Sequence, residues 1–142
     1  MNLDEYMSMC AKAPFEWGKF DCCTFSAGAV AITTGKDLTK ELGPYIDPTT
    51  CAINMRAAYG THIIRDMFLQ VVEKHGARKI DLSDAQNGDV VCIEWPKQFL
   101  GKGEIDQSCG LGVFYNNSAY GCAHGGIIQI PLTHRIIDIW RF

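Results

Sequence analysis

Long hydrophobic runs are absent from this chain. No apolar stretch approaches the roughly 20 residues that a membrane-spanning helix needs, so we expect no membrane span. Residues 1–13 also lack the basic and then apolar pattern of a secretory signal, since they carry Asp4 and Glu5 early. The sequence therefore predicts a protein that is made in a cytoplasm without a signal peptide.

An excess of positive charge is absent too. The 142 residues contain 13 lysines and arginines against 16 aspartates and glutamates, a formal net charge of −3. Because no basic stripe is present to neutralise phosphates, nucleic acid is excluded as the main partner. Hydrophobic residues make up 47% of the chain and charged residues 20%, which is typical of a globular protein. No linker or internal repeat divides the sequence, so we expect one domain over residues 1–142.

The cysteines lack the spacing of a disulfide scaffold or of a metal site. There are seven, an odd number, at positions 10, 22, 23, 51, 92, 109 and 122. We expect most of them to be small buried hydrophobic residues in a reducing compartment. Cys122 and His124, with Cys109 nearby, suggest a metal site, but zinc and iron–sulfur sites usually have paired ligands at Cys-x2-Cys-like spacing. The sequence therefore predicts neither a metal nor a cofactor.

Among the features that are present, residues 17–25 (WGKFDCCTF) are the most informative. They predict a loop that ends at Asp21 as an N-cap, followed by an apolar helix from about Cys22 to Thr34 that ends at Gly35. A thiol in the first turn lies beside unpaired backbone N–H groups and the positive end of the helix dipole, which favour the thiolate. Cys22 is therefore a candidate nucleophile. The alternative is a small core residue at a helix start.

Helical patterns fill the first half of the chain and strand patterns the second. The other helices are predicted from Leu3 to about Cys10 with Pro14 beyond, from Cys51 to Tyr59 with Thr50 as cap, and from the cap Thr61 to Lys74. Strands are predicted over residues 90–95, 110–115, 119–124, 127–132 and 136–142. Helices followed by strands that tight turns connect indicate an α+β fold with an antiparallel sheet.

Several motifs resemble the NlpC-like branch of the papain-like cysteine peptidases. They are the Trp17-Gly18 loop with Asp21-Cys22, the Asn87-Gly88-Asp89 turn, and Gly112-Val113-Phe114 in a strand. The chain is more similar still to small phage proteins of this superfamily, through residues 14–22 (PFEWGKFDC), 34–37 (TGKD) and the terminal Trp140-Arg141. The resemblance covers nearly the full length. It implies a papain-like fold, with N-terminal helices packed on a small antiparallel sheet.

The resemblance also implies roles for three positions. Cys22 matches the nucleophile, and the third, orienting polar residue falls near Cys122. The family's catalytic histidine stands two residues before the strand glycine, where this chain has Gly110. His124 lies two residues beyond Cys122, hence on the same face of a strand, and could replace the missing base.

Two functions are compatible with these residues. The resemblance implies a structural or assembly protein of a phage tail tip, located in the virion tail among other tail proteins, whose catalytic chemistry is lost or dormant. The alternative is a cysteine peptidase or amidase that cleaves peptidoglycan peptide bonds, with Cys22 as nucleophile and His124 as base. Four aromatic residues could line a binding groove over the Cys22 helix start or fill it: Trp17, Phe20, Trp95 and Phe99. Residues 96–107 and the apolar C-terminus are candidate partner contacts.

Overall fold

The computed structural model describes residues 1–94, 109–132 and 136–142. Within these ranges four α-helices pack with a six-stranded antiparallel sheet, which confirms the predicted α+β class. The helices are α1 (Leu3–Cys10), α2 (Cys22–Thr34), α3 (Pro48–Tyr59) and α4 (Ile64–His75). The strands are β1 (Arg78–Lys79), β2 (Val90–Glu94), β3 (Cys109–Tyr115), β4 (Ser118–Ala123), β5 (Gly126–Ile130) and β6 (Ile136–Arg141). None of the helices in these ranges is long and apolar enough to cross a membrane.

Helix α2 has the bounds that its capping residues predict. Asp21 has extended backbone and accepts a hydrogen bond from the backbone N–H of Thr24, whose hydroxyl accepts one from the backbone N–H of Asp21. This reciprocal capping box satisfies two N–H groups that the helix itself leaves unpaired. At the other end, Gly35 adopts the left-handed conformation, with φ of +77°, that glycine enters without steric cost.

The starts of α3 and α4 differ from the prediction. Asp47, not Thr50, is the N-cap of α3, with Pro48 in the first turn and Thr50 completing a capping box. Proline suits this place because its missing N–H would be unpaired there anyway. Helix α4 begins three residues after Thr61, at Ile64, and its N-cap residue makes no side-chain capping bond. The hydroxyl of Thr61 instead accepts a hydrogen bond from the N–H of the residue before α4.

The strands lie in the order β1-β6-β2-β3-β4-β5. Strand β1, a two-residue pairing with β6, was not predicted. Strand β4 ends at Ala123, one residue before His124, and β5 ends at Ile130 because Pro131 has no N–H to donate to a sheet. Trp95 and residues 96–107, which include Phe99, lie outside the described residues.

Apolar side chains fill both faces of the sheet. On the helix side there are two clusters, one around α3 and α4 with Val90 and Leu111, and one around α1 with Phe25 and Val113. The opposite face carries a third cluster: Ile80, Val91, Ile93, Phe114, Ala119, Ile130 and Ile139. Since α2 contributes to both helix-side clusters, it is the central helix of the fold.

Two of the motifs from the sequence meet where the start of β2 lies beside the end of β6. The guanidinium of Arg141 donates to both carboxylate oxygens of Asp89, each over 2.8 Å, and to the carbonyl of Asp84. Asp89 also accepts a bond from the backbone N–H of Gln86. This two-pronged ion pair fixes the turn before β2 to the end of β6.

Candidate functional site

The site is centred on the carboxylate of Asp21, which is 1% exposed. One oxygen, Oδ1, accepts the N–H of Thr24 over 2.9 Å. The other, Oδ2, accepts the backbone N–H of Gly18 over 2.8 Å and the hydroxyl of Tyr45 over 2.6 Å. Three donors therefore surround one buried carboxylate, which is how a buried charge is made tolerable. Asp21 ties the loop before α2, the helix itself and the connector before α3 together.

Gly18 is the residue that lets these three segments meet. Its φ is +80°, a region that side chains rarely adopt. A Cβ atom at this position would lie 1.9 Å from the carbonyl oxygen of Tyr45, far inside van der Waals contact. The glycine of the Trp-Gly motif is thus required by the close approach of the Tyr45 backbone.

Cys22 is the first residue of α2 and lies where the two helix-side clusters join, partly buried against both. Its backbone carbonyl accepts the hydroxyl of Ser26 over 2.8 Å, and the same hydroxyl reaches the carbonyl of Gly112 over 3.4 Å. These bonds connect the first turn of α2 to β3. Cys22 therefore has the helix-start position that a nucleophile needs, in a setting that also serves packing.

The thiols around Cys22 are held in their neutral forms. Burial, together with Cys22 and Asp21, raises the pKa of Cys51 to about 12. Burial first, and then Cys22 and Asp21, also raise the pKa of Cys122. A side-chain hydrogen bond with Cys22 raises the pKa of Cys23, and burial raises it further. These contributions disfavour thiolates at Cys23, Cys51 and Cys122, chiefly through burial and, at Cys23, first through the bond with Cys22.

Cys122 lies in the same cluster against which Cys22 packs, so the fold brings these two predicted positions together. Its sulfur lies 3.9 Å from the carbonyl oxygen of Phe20, which accepts its thiol hydrogen. A residue that orients a catalytic histidine must accept or donate toward the imidazole. Cys122 instead donates to the loop that leads into α2.

Position 110, where the resemblance places the catalytic histidine, lies on the far face of the sheet. Gly110 pairs directly with Ile93 in the register of β2 and β3. Directly paired residues of antiparallel strands share a face, and Ile93 belongs to the cluster opposite the helices. Cys22 packs on the helix side, with Leu111. A histidine at position 110 would therefore point away from Cys22.

His124 lies in the turn after β4 and not on the strand, so the prediction that it shares a strand face with Cys122 is wrong. Its exposed ring lies against Phe15, with the ring centroids 4.5 Å apart. Phe15 meets the edge of Trp17 at 5.3 Å and packs against the same cluster as Cys22. His124 is thus at the border of the site, with the Phe15 ring on its inner side.

Phe20 packs at the start of α2, whereas Trp95 and Phe99, its predicted partners in an aromatic groove, are outside the described residues. The ring of Phe20 meets that of Phe25 at 5.9 Å. His134 also lies outside the described residues. In the parts of the chain that the structure describes, no three histidine, cysteine or acidic side chains are grouped so that they could hold a metal ion.

Comparison with known proteins places the chain in a family. The family described as a domain of unknown function (DUF6950) matches residues 1–142. The chain belongs to the DUF6950 family. No curated protein matches it.

Tyr45 is the member of this site that the sequence did not indicate. It is 24 residues from Asp21 and lies in the turn-rich connector before α3, where no periodic pattern marks a buried residue. Burial raises the pKa of its hydroxyl, and the nearby Cys23 and Asp21 raise it further. Tyr45 is therefore a neutral hydrogen-bond donor and not a base.

The described groups at the start of α2 can donate and accept hydrogen bonds and pack together. Among them, Cys23, Cys51 and Cys122 have raised pKa values. Nucleophilic catalysis by a thiol needs a partner that takes its proton and later protonates the leaving group. Tyr45 donates to Asp21, and Cys122 donates to the carbonyl of Phe20. Both donors have raised pKa values. Neither group is therefore suited to take the proton of the Cys22 thiol.

Proposed function

We propose that this protein is a structural or assembly component of a phage tail tip. In this proposal it has a papain-like, NlpC-like fold that is retained for protein–protein contact, with the catalytic chemistry lost. The phage tail assignment rests on the sequence resemblance, which runs from the Trp17-Gly18 loop to Trp140-Arg141. The observation that supports a non-catalytic role is the Asp21–Tyr45 hydrogen bond, by which the residue beside Cys22 joins separate segments of backbone.

The construction of the Asp21 site supports this view. In a thiol hydrolase, charged groups beside the sulfur are arranged to favour the thiolate. Here the charged group next to Cys22 in the sequence is the carboxylate of Asp21, and its donors connect three segments of backbone. A residue that holds loops together is what a scaffold requires, and it would be retained when catalysis is not.

The experiment combines deletion with complementation in the phage that encodes the protein. We expect deletion of the gene to give particles with absent or defective tails, and the protein to be found in purified tails by mass spectrometry. Complementation with Cys22→Ala should restore infectious particles, since no step depends on the thiol. Normal tails in the deletion strain, or absence of the protein from them, would refute the proposal.

The alternative is a cysteine peptidase or amidase acting on peptidoglycan. One observation favours it: Cys22 is at the start of a well-capped helix and His124 lies on the ring of Phe15, at the border of the same cluster. His124 would take the proton of the Cys22 thiol, the thiolate would attack an amide carbonyl, and the backbone N–H of Cys22 would help to stabilise the oxyanion. The C–N bond would then break as His124 returns the proton to the leaving amine, and water would hydrolyse the thioester.

Two measurements separate this alternative from the first proposal. Alkylation by iodoacetamide, followed for each cysteine by mass spectrometry across pH, reports whether Cys22 forms a thiolate at neutral pH. Release of peptides from purified peptidoglycan reports turnover. The enzyme interpretation requires both, and it requires that Cys22→Ala abolish turnover while the protein stays folded. If Cys22 reacts like an ordinary thiol and no peptide is released, the enzyme interpretation fails and only the structural role is left.

A further inference from the structure

A groove runs along the outer side of α2, away from Cys22. It has a volume of about 630 Å³ and is open to solvent on one side. Its floor is a row of small residues at helical spacing, Thr24, Ala27, Gly28 and Ala31. Helix α1 forms one wall, and the segment from Leu38 to Tyr45 forms the other. Cys23 lines the groove, whereas Cys22 does not.

A buried hydrogen bond holds α1, the first wall, in place. The hydroxyl of Tyr6 on α1 donates to the carbonyl of Phe25 over 2.8 Å. Gly28 makes this contact possible, because a Cβ there would lie 2.1 Å from the Tyr6 hydroxyl oxygen. The side chain of Tyr6 therefore sets the distance between α1 and α2.

The second wall is held at one end and near its middle. Tyr45 is bonded to Asp21 at the end. Near the middle, the carboxylate of Glu41 accepts from the Tyr59 hydroxyl, from Lys74 over 2.9 Å and from His75 over 2.7 Å. Because both walls are anchored to the body of the fold, the groove exists before anything binds, and little ordering remains to oppose binding.

The charged side chains on the rim of the groove are basic, and each has an acidic partner on the surface. The protein has a formal net charge of −3, yet the charged side chains that line the groove, within the described residues, are Lys19 and Lys40. Each is paired to a neighbour on the surface, Lys19 with Glu16 over 2.9 Å and Lys40 with Asp37 over 3.9 Å. Exposed pairs of this kind contribute little and can be exchanged for a ligand's carboxylates. The apolar surface between the lysines includes Met9, which is 49% exposed.

We propose that this groove binds an acidic, aliphatic helical segment of a partner protein. The partner helix approaches α2 at the exposed Ala31, its aliphatic side chains cover Met9 and Ala31, and its carboxylates pair with Lys19 and Lys40. The proposal rests on the proposed function, because it assigns to this face the contact by which the protein joins a partner in a tail.

The probes for the test are two synthetic peptides of about a dozen residues, long enough for three helical turns. One has leucine and alanine on one face and glutamate on the other, and the second replaces every glutamate by lysine. We expect the acidic peptide to bind the full chain about tenfold more tightly than the basic one at low ionic strength, by fluorescence anisotropy. Equal binding of both, or no binding of the acidic peptide at about 1 mM, would overturn the proposal.

Matched substitutions locate the binding. Ala31→Trp fills the groove from an exposed position on its floor, and Ala57→Trp places the same side chain on the exposed face of α3. Lys40→Glu reverses a rim charge, and Lys79→Glu makes the same change on β1. We expect Ala31→Trp and Lys40→Glu each to weaken binding of the acidic peptide about tenfold, and we expect their controls to leave its affinity unchanged. Equal effects within either pair would place the binding elsewhere. Circular dichroism verifies that all four variants fold.

The phage experiment separates this proposal from the one on which it rests. If the wild-type protein is in tails but Ala31→Trp is incorporated equally well, the groove proposal fails and the tail function stands. If the wild-type protein is absent from tails while the peptide binds as expected, the tail function fails and the groove remains a peptide site.

Discussion

The hydroxyl of Tyr45 donates to Oδ2 of Asp21 over 2.6 Å, in a place where the tyrosine is 8% exposed and the aspartate 1%. This one bond connects the start of α2 to the connector that precedes α3. It also turns the carboxylate next to Cys22 into a structural acceptor. Asp21, which the sequence predicts as the N-cap of α2, thereby also holds the connector before α3 in place.

The first prediction concerns this bond. We expect Tyr45→Phe to lower the free energy of unfolding by about 1.5–3 kcal/mol, because it removes a hydrogen bond to a buried charged group. The measurement is urea denaturation at neutral pH. The control is Tyr115→Phe, which removes the same kind of bond, to Asp4, at an exposed position. It should change stability little. An equal loss in both variants would contradict a special role for the Asp21 pair.

The second prediction concerns Gly18. Gly18→Ala places a Cβ 1.9 Å from the carbonyl oxygen of Tyr45, at a φ of +80°. The backbone must shift, so we expect a loss of about 3 kcal/mol or more, or failure to fold. Gly43→Ala is the matched control, since its φ is +64° but nothing lies within 4 Å of the added atom. It should cost only about 1 kcal/mol for the left-handed conformation. Thermal and urea unfolding of both variants would show whether the contact with the Tyr45 carbonyl adds to the cost of the left-handed conformation.

Local signals account for the parts of the structure that the sequence predicted. Asp21 and Gly35 act on their own neighbours, through a capping box and a left-handed residue, and α2 has the predicted bounds. The start of α3 was misplaced because Asp47-Pro48 resembles a turn as much as a capped first turn. The site itself depends on contacts between distant segments. Neither the bond from Tyr45 nor the face on which position 110 lies follows from sequence spacing alone.

The third prediction tests the position of the missing histidine. We expect Gly110→His not to restore peptidase activity, because position 110 shares a sheet face with Ile93, opposite to Cys22. It should also destabilise the protein by about 1–3 kcal/mol, since an imidazole would enter an apolar cluster without a partner. Peptidoglycan release and urea unfolding measure the two effects. Activity that appears in this variant and disappears with the added change Cys22→Ala would show that the face assignment is wrong.

The fourth prediction concerns the pH dependence of stability. Burial of Glu41 opposes its ionisation, but bonds from Tyr59, His75 and Lys74 outweigh burial and lower its pKa from 4.5 to about 2. A carboxyl whose pKa is lower in the folded protein stabilises it above the unfolded-state pKa, and this contribution is lost as the pH falls. We therefore expect Glu41 to contribute about 1–3 kcal/mol near pH 7, after allowance for solvent screening, and the contribution to disappear between about pH 4.5 and 2.

The variant that tests this is Glu41→Gln, which keeps the shape of the side chain and removes its charge. Its free energy of unfolding should be lower than that of the wild type at pH 7, and the two curves should converge as the pH falls below about 4.5. Asp37→Asn is the control, since Asp37 is an exposed acid in the same connector whose pKa is also lowered, chiefly by bonds from Thr39. A difference between Glu41→Gln and wild type that stays constant down to pH 2 would show that packing, and not the charge of Glu41, anchors the second wall of the groove.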